Sequence, residues 1–491
     1  MHSAASMLKA SRVGCEITSR HAELPSGGDL RQHFADLGQG HVFRFWEGLD
    51  PQARERLVQQ AASIDLPALL DALATLGGAQ RQPSKLEPIA VEAAPESGGE
   101  AQRWAEARAR GEALLAEGRV AVMVVAGGQA TRLGIPGPKG GFPLGPVTGR
   151  TLFEQQAQRI RRLRARCGQP IPWYVMTSAA TDAATRSCFE KAGHFGLPPG
   201  DVVFLRQAMV PSFDFAGKLV LAAPDRIFES PDGHGGALAA LLDSGALDDM
   251  ARRGTDTIFY YQVDNPLVDI GAAAFLGFHA QAGAEVSCKV MRKREPSEKV
   301  GVVARVDGRI GVVEYTEIDE ARGSARDSSG ELLYWAGNMA IHVFDCDLVR
   351  RVAERAALWL PYHRSKKKIS TIDADGRPLQ PEEPNGYKLE RFVFDALAAT
   401  DRVCVVEALR QNEYSPVKNA EGSESPRTAR RDLVARYRAW LEGAGIELPP
   451  PGVAIEVDES LVGGSEDARA LGIRRIEEAG DVIRVADGDE A

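Results

Sequence analysis

One stretch constrains this chain more than any other: Val120 to Val125, reading VAVMVV, runs straight into AGGQATRLGIPGPKGG. Six consecutive apolar, mostly β-branched residues make a strand buried on both faces. Such a strand needs helices packed above and below it, which points to an α/β sheet. Gly127 and Gly128 follow the strand directly, and glycines there let backbone N–H groups come closer to a ligand than a Cβ would allow. Arg132 and Lys139 place two cations in the same loop, a combination suited to a polyphosphate. The spacing is not the Walker pattern, since Pro138 stands where its second glycine belongs, nor is it G-x-G-x-x-G. A plain strand–turn–loop with two surface cations is the alternative that local pattern leaves open.

At 491 residues the chain exceeds one ordinary core, and length alone suggests about three units. Its 44% hydrophobic and 26% charged content is that of a soluble globular protein. A net charge of −9 argues against broad nucleic-acid binding. Cys15, Cys167, Cys188, Cys288, Cys346 and Cys404 are scattered without a C-x-x-C pair, so neither a zinc site nor a disulfide framework is expected. No window reaches the length of a membrane span, and the first residues lack a signal-peptide core. The expected protein is cytoplasmic, with no nucleic-acid or membrane partner, and a monomer or weak homo-oligomer.

Residues 1–28 lack an apolar period and are expected to be disordered. Residues 29–100 are expected to form a helical unit plus linker. Asp50-Pro51 reads as an N-cap with proline at N1, Leu66, Leu69, Leu70 and Leu73 share one helix face, and Gly77-Gly78 reads as a stop. Gly78 to Glu100 reads as the linker. A catalytic domain is expected over 101–418. It opens with a helix (Ala101 to Glu117) and then alternates strands (Val120 to Val125, Ile171 to Met176, Asp201 to Arg206, Thr257 to Val263) with helices (Thr151 to Arg166, Thr181 to Ala192, Gly235 to Met250). That alternation implies a largely parallel, doubly wound sheet with ligands at the carboxyl ends of its strands. The opening loop, Gln207 and Asp264 all follow predicted strands, so they can converge. A more antiparallel region comes next. Val300 to Val306 and Ile310 to Tyr315 flank Asp307-Gly308, a hairpin turn. Trp335 to Phe344 is a further strand and Phe392 to Ala399 a helix. Residues 419–491 are expected to form a small C-terminal unit with β strands: AEGSESPRTAR reads as linker, Asp432 to Glu442 as a helix, and DGDEA as a frayed tail.

Taken together, AGGQATRLG, PKGG, RTLFEQQAQRI, PWYVMTS, PDGHGG, VDNPLV, VGVVARVDGRIGVVEYTEI, AGN, PNGYKLERFVFD and SPVKNAE closely resemble the eukaryotic-type UDP-N-acetylglucosamine pyrophosphorylases and their UDP-sugar pyrophosphorylase relatives. The resemblance runs in order from about Leu30 to the terminal unit. It implies a Rossmann-like, GT-A-like nucleotidyltransferase with a mixed sheet flanked by helices. It also implies a reaction: UTP and a sugar 1-phosphate give a UDP-sugar and pyrophosphate, with Mg²⁺. N-acetylglucosamine 1-phosphate is the expected acceptor, and glucose 1-phosphate or a broad sugar range the alternative.

By the same resemblance, Val125, Ala126, Gly127 and Gly128 hold the nucleotide, and Arg132 and Lys139 lie along the triphosphate as catalytic cations. Gln207 and Gly233 recognise uracil, and Asp264 binds nucleotide and metal. Lys388 and Lys418 contact phosphate, Lys418 in a catalytic role. Gly301, Glu314, Tyr315 and Asn338 face the sugar, with Phe392 and Phe394 at its acetamido end. His234, also placed on the sugar side, departs from the family's usual asparagine in P-D-G-N-G-G and resembles the UDP-glucose branches. Beside phosphates its imidazole is expected to have a raised pKa and to contact them as a cation.

Overall fold

The computed structural model describes residues 27–76, 84–476 and 482–484. The expected disorder of residues 1–28 lies outside the described residues except at its end, where Gly27 already opens a helix, Gly27–Asp36. Cys15, the Gly77-Gly78 stop and DGDEA lie outside them too. The five described cysteines are free thiols. No helix among the described residues is long and apolar enough to cross a membrane.

Contacts divide the chain into two compact units. The smaller gathers residues 27–71 with 211–228 and 366–387. Its helix Pro51–Ala62 starts as expected, with the Asp50 carboxylate accepting from Ala53 N–H at 2.8 Å and proline at N1. The excursion 211–228 is held to these helices by two side-chain amides. Gln39 accepts from Leu219 N–H and donates to Gly217 O, both at 2.9 Å. Gln60 accepts from Ile227 N–H at 2.8 Å and donates to its carbonyl at 3.0 Å. Each amide satisfies one backbone donor and one backbone acceptor of the excursion.

The larger unit holds 72–210, 229–365 and 388 onward, and is built on a ten-stranded sheet. Its strands in chain order are β1 (Leu86–Glu87), β2 (Val120–Val125), β3 (Trp173–Thr177), β4 (Val202–Arg206), β5 (Thr257–Gln262), β6 (Val286–Arg292), β7 (Val302–Val306), β8 (Arg309–Val313), β9 (Ala336–Asp345) and β10 (Val403–Glu407). The spatial order is β1-β7-β9-β5-β2-β3-β4, with β8 beside β7 and β6 between β9 and β10. Only β5-β2-β3-β4 and the β6–β10 pair are parallel. Strand β9 runs antiparallel to β5 and β6 and joins the expected parallel and antiparallel regions into one mixed sheet.

Strand β2 is buried on both faces. Val120, Val122 and Val124 point into one core with Phe153, Trp173 and Phe275, while Ala121 and Met123 point into another with Leu238 and Leu241. The helix Ala101–Ala116 meets the helix Ala273–Gln281 backbone to backbone. A Cβ on Gly111 would fall 1.8 Å from Ala273 O, and one on Gly277 would fall 1.7 Å from Ala107 O.

Several expectations shift. Gly235 to Met250 is two helices, Gly236–Asp243 and Ala246–Arg252, broken where Gly245 takes φ +73°. Phe392 to Ala399 is a 3₁₀ segment, Val393–Ala399. The segment read as a linker lies along the sheet, with β1 paired to β7 and Glu92 N–H donating to Val405 O at 2.8 Å. AEGSESPRTAR is half helix: Pro426–Gly443 begins inside it, where Ser425 and Thr428 form a capping box. Beyond that helix, the described C-terminal residues add one two-stranded ladder (Ala454–Glu456 with Val482–Arg484) and the helix Ser465–Ala470. The Asp307-Gly308 turn takes the expected form, with φ +48° and +94°, both positive as a two-residue hairpin of this twist requires.

Candidate active site

The chain steps from β2 outward to β3 and β4, then returns to place β5 on the other side of β2. That reversal is a topological switch point, and the carboxyl ends of β2 and β5 open beside it, Val125 opposite Gln262. The loop after β2 folds back on itself. Ala130 N–H donates to Gly137 O, and Lys139 N–H to Gly128 O, both at 2.9 Å. Residues 131–136 therefore form a tip carrying Arg132, which is exposed and has no hydrogen bond or ion pair among the described residues. Lys139 returns to the base. The turn Lys139–Gly141 is seated on Phe153, whose ring would lie 2.2 Å from a Cβ on Gly140.

Behind this loop lies a chain of polar contacts. Gly127 O accepts from Ser178 Oγ at 2.8 Å. A Cβ on Gly127 would fall 2.4 Å from Gln207 Oε1, whereas one on Gly128 would meet open space. Gln207 Nε2 faces Asp232 Oδ1 at 3.4 Å. Burial pushes the Asp232 carboxyl up to about 6, against the opposing pull of Arg391 and Gln207. Gly233, at φ +90°, is clasped by Arg391, whose N–H donates to Asp232 O at 2.7 Å while its carbonyl accepts from Gly235 N–H at 2.8 Å. Lys388 lies three residues before Arg391 on the strand Gly386–Arg391.

At the end of β5, Asp264 Oδ2 is 3.5 Å from Lys139 Nζ. Asp264 O accepts from Val417 N–H at 2.9 Å, which draws the Pro416–Lys418 segment over the strand end. Lys418 Nζ donates to Glu424 Oε1 at 3.1 Å. Burial opposes its charge, but Tyr414, Glu424 and Asp264 outweigh burial and hold its pKa above the usual lysine value. A cavity of about 150 Å³ is lined by Asp264, Gly301, Glu314, Asn338, Phe394 and Lys418, six of the residues singled out in the sequence. Asn338 N–H donates to Gly301 O at 2.8 Å, and its Oδ1 accepts from Ala340 N–H at 3.1 Å, leaving the NH₂ end for the cavity. Ala340 takes φ +55° where the β6–β9 register slips. Burial, then Glu317, raises the Glu314 pKa against His363 and Lys418. Tyr315, 43% exposed, and Phe392 are not among the cavity's lining residues.

His234 departs from the cationic expectation. Its ring stacks on Phe392 at 5.2 Å and 16°, and its Nδ1 accepts from Val393 N–H at 3.1 Å, which requires a lone pair there. Burial, and then the charge of His363, bring its pKa down to about 4, so the ring is neutral at neutral pH. His363 covers the other face of Phe392 at 4.3 Å and 25°, and pairs with Asp395 Oδ2 at 2.9 Å. Burial opposes the charge of His363, but Asp395, Glu317 and Glu314 outweigh it and raise its pKa. Sequence reasoning missed His363, which lies in none of the quoted motifs, and Asp395, although it closes the quoted PNGYKLERFVFD. It also missed Asp232, although the quoted PDGHGG contains it.

Residues 83–423 match the family described as UTP–glucose-1-phosphate uridylyltransferase. The chain is 38% identical over 446 residues to human UDP-N-acetylhexosamine pyrophosphorylase-like protein 1, covering 86% of this chain and 87% of that protein. It is 34% identical over 452 residues to the UDP-N-acetylglucosamine pyrophosphorylase of Saccharomyces cerevisiae, covering 88% and 94%. Its fold is similar to the crystal structure of the uridine diphosphate N-acetylglucosamine pyrophosphorylase from Trypanosoma brucei, with TM-score 0.80, 26% identity, and coverage of 94% of this chain and 99% of that one.

Proposed function

This chain belongs to the UTP–glucose-1-phosphate uridylyltransferase family, and on that premise we propose that it transfers uridylyl from UTP to N-acetylglucosamine 1-phosphate. The observation that carries this reading is the cavity in which Asp264 and Lys418 meet Glu314 and Asn338, beside Lys139. It joins phosphate-binding charge to hydroxyl- and amide-binding groups in one space. The relatives named for N-acetylglucosamine and N-acetylhexosamine support the acetylated sugar.

The chemistry asks little of a base. The sugar phosphate has a second pKa near ~6, so its oxygen is already ionised at neutral pH. That oxygen attacks the α-phosphorus of UTP. A new P–O bond forms, the bond to the bridging oxygen breaks, and pyrophosphate leaves with the electron pair. The protein must align two anions and neutralise charge as it moves to the leaving group. The Gly127-Gly128 backbone, Gln207 and Gly233 take the nucleotide. Lys139 and Arg132 lie along the departing phosphates, with Lys388 as a further phosphate contact. Lys418 draws in the sugar phosphate, Glu314 and Asn338 hold the sugar, and Phe394 walls its acetamido end.

Among the described residues no three His, Cys, Asp or Glu side chains gather as a metal-binding group. The protein's donor is then one hard carboxylate, Asp264, at a strand end. That suits Mg²⁺, which keeps several waters and takes most other ligands from substrate phosphates. When bound there it would neutralise phosphate charge. A cytoplasmic location belongs to the same proposal, supported by six scattered cysteines without C-x-x-C spacing, and so does a monomeric or weakly associating chain.

His234 favours a second reading, transfer to glucose 1-phosphate or to a range of sugars, because an imidazole stacked on Phe392 replaces the family's usual amide. Pyrophosphate release from UTP across several sugar 1-phosphates tests both. The expected outcome is the highest kcat/KM with N-acetylglucosamine 1-phosphate; faster turnover of glucose 1-phosphate would replace the first reading with the second.

A further inference from the structure

We infer that Asp232 is a positioning residue that orients the Gln207 amide and thereby makes the nucleotide site read uracil and refuse cytosine. The inference rests on the reading of this site as one for UTP. A glutamine amide has two unlike ends: its oxygen accepts and its NH₂ donates, and a half-turn exchanges them within nearly the same shape. Uracil and cytosine differ in the same sense. Uracil offers N3–H as a donor beside a carbonyl, while cytosine offers a bare N3 and an amino group. A free glutamine can therefore serve either base, and discrimination needs something that forbids the half-turn.

Asp232 supplies it. The residue is 2% exposed, and its Oδ1 faces Gln207 Nε2 at 3.4 Å. An ionised carboxylate has only acceptors, so the amide must present its NH₂ to it. Oε1 is then turned toward Gly127, where a Cβ would come within 2.4 Å of it, and Gly128 beyond opens onto free space. The acceptor thus faces the glycine cradle, in the sense that matches the N3–H of uracil.

The carboxylate is itself immobilised. Its backbone N–H donates to Ala208 O at 3.2 Å, and its carbonyl accepts from Arg391. A Cβ on Gly236 would fall 2.0 and 2.2 Å from its two oxygens, so the glycine leaves room for the side chain. Charges bear on it from two neighbouring elements: Arg391 from the strand Gly386–Arg391, and Asp243 from the helix Gly236–Asp243, whose N-terminal end favours an anion. His234, two residues on, is neutral.

Equilibrium binding of UTP and of CTP to the full chain tests this. At about pH 8, Asp232→Asn is expected to lower the UTP:CTP affinity ratio at least ~tenfold, because an amide partner accepts either orientation. Equal losses for both nucleotides, with the ratio within about twofold of wild type, would overturn it. The wild type gives a second readout that needs no folded variant. As pH falls through about 6, the Asp232 carboxyl gains a proton it can donate to Oε1, and the ratio is expected to fall. Phosphate protonation is common to both nucleotides and cancels in the ratio; a ratio flat from about pH 8 to about pH 5.5 would overturn the proposal. Turnover of N-acetylglucosamine 1-phosphate is measured separately. Binding of UTP over CTP without that turnover removes the sugar assignment alone. A wild type that prefers neither nucleotide overturns the proposal together with the UTP reading.

Discussion

Lys139 Nζ stands 3.5 Å from Asp264 Oδ2 although 125 residues separate them in the chain. The parallel pairing of β2 and β5 explains the meeting, because it puts the residues after both strands at one end of the sheet. Their side chains are 19% and 14% exposed, so solvent screens the pair only weakly. A phosphate entering here must compete with the carboxylate for the ammonium, and a cation must compete with the ammonium for the carboxylate.

Lys139→Ala is expected to lower kcat by more than ~tenfold, with a smaller change in KM, if, as proposed, the ammonium acts on charge that develops at the leaving group. Steady-state kinetics with both substrates varied measures the split. An unchanged kcat would take Lys139 out of the chemistry.

Asp264→Asn keeps the side chain's shape and removes its charge. The Mg²⁺ concentration for half-maximal pyrophosphate release is expected to rise ~tenfold or more, with a fall in kcat. A magnesium titration that superimposes on wild type would leave Asp264 as no more than the partner of Lys139.

His234→Asn deletes a neutral ring from the stack on Phe392 and supplies an amide in its place. The ratio of kcat/KM for N-acetylglucosamine 1-phosphate over glucose 1-phosphate is expected to increase. If the ratio does not move, the ring only supports Phe392.

Glu459 is buried and accepts from Arg159 at 2.6 and 2.7 Å, from Arg436 at 3.1 and 3.2 Å, and from Tyr437 Oη at 2.8 Å. Burial works against its charge, but the two guanidinium groups outweigh burial and hold its pKa at about 2. The folded value lies below the unfolded one, near ~4.3, so its stabilisation is complete above the unfolded value and is lost as pH falls toward about 2. Glu459→Gln, which leaves two buried cations facing a neutral amide, is expected to destabilise by ~3–5 kcal/mol at neutral pH. Denaturant midpoints should show the gap between wild type and variant narrowing below about pH 4. A gap that stays constant with pH would mean that shape, and not charge, matters at this position.

Much of the fold was legible because its signals are local. Val120 to Val125 could be read as a doubly buried strand from six residues. Asp307-Gly308 could be read as a turn from two, and Asp50-Pro51 as a helix start. The helix Pro426–Gly443 was half hidden, since its first turn sits in a polar stretch whose composition resembles a linker; only the Ser425 cap announced it. The docking of the excursion 211–228 gave no signal, because its backbone at Gly217, Leu219 and Ile227 is satisfied by Gln39 and Gln60 from more than a hundred residues away.

For the site the division follows the same physics. The sequence by itself determined that a buried strand ends in a glycine loop with two cations, and that Gln207 and Asp264 follow strands. Backbone propensity and side-chain pattern act within a few residues, so they can be read there. Only the tertiary structure decided that Lys139 meets Asp264, that Asp232 holds one end of Gln207, and that His234 is a neutral ring on Phe392. Pairing, orientation and protonation depend on desolvation and on charges brought from distant parts of the chain, and no local pattern of residues contains them.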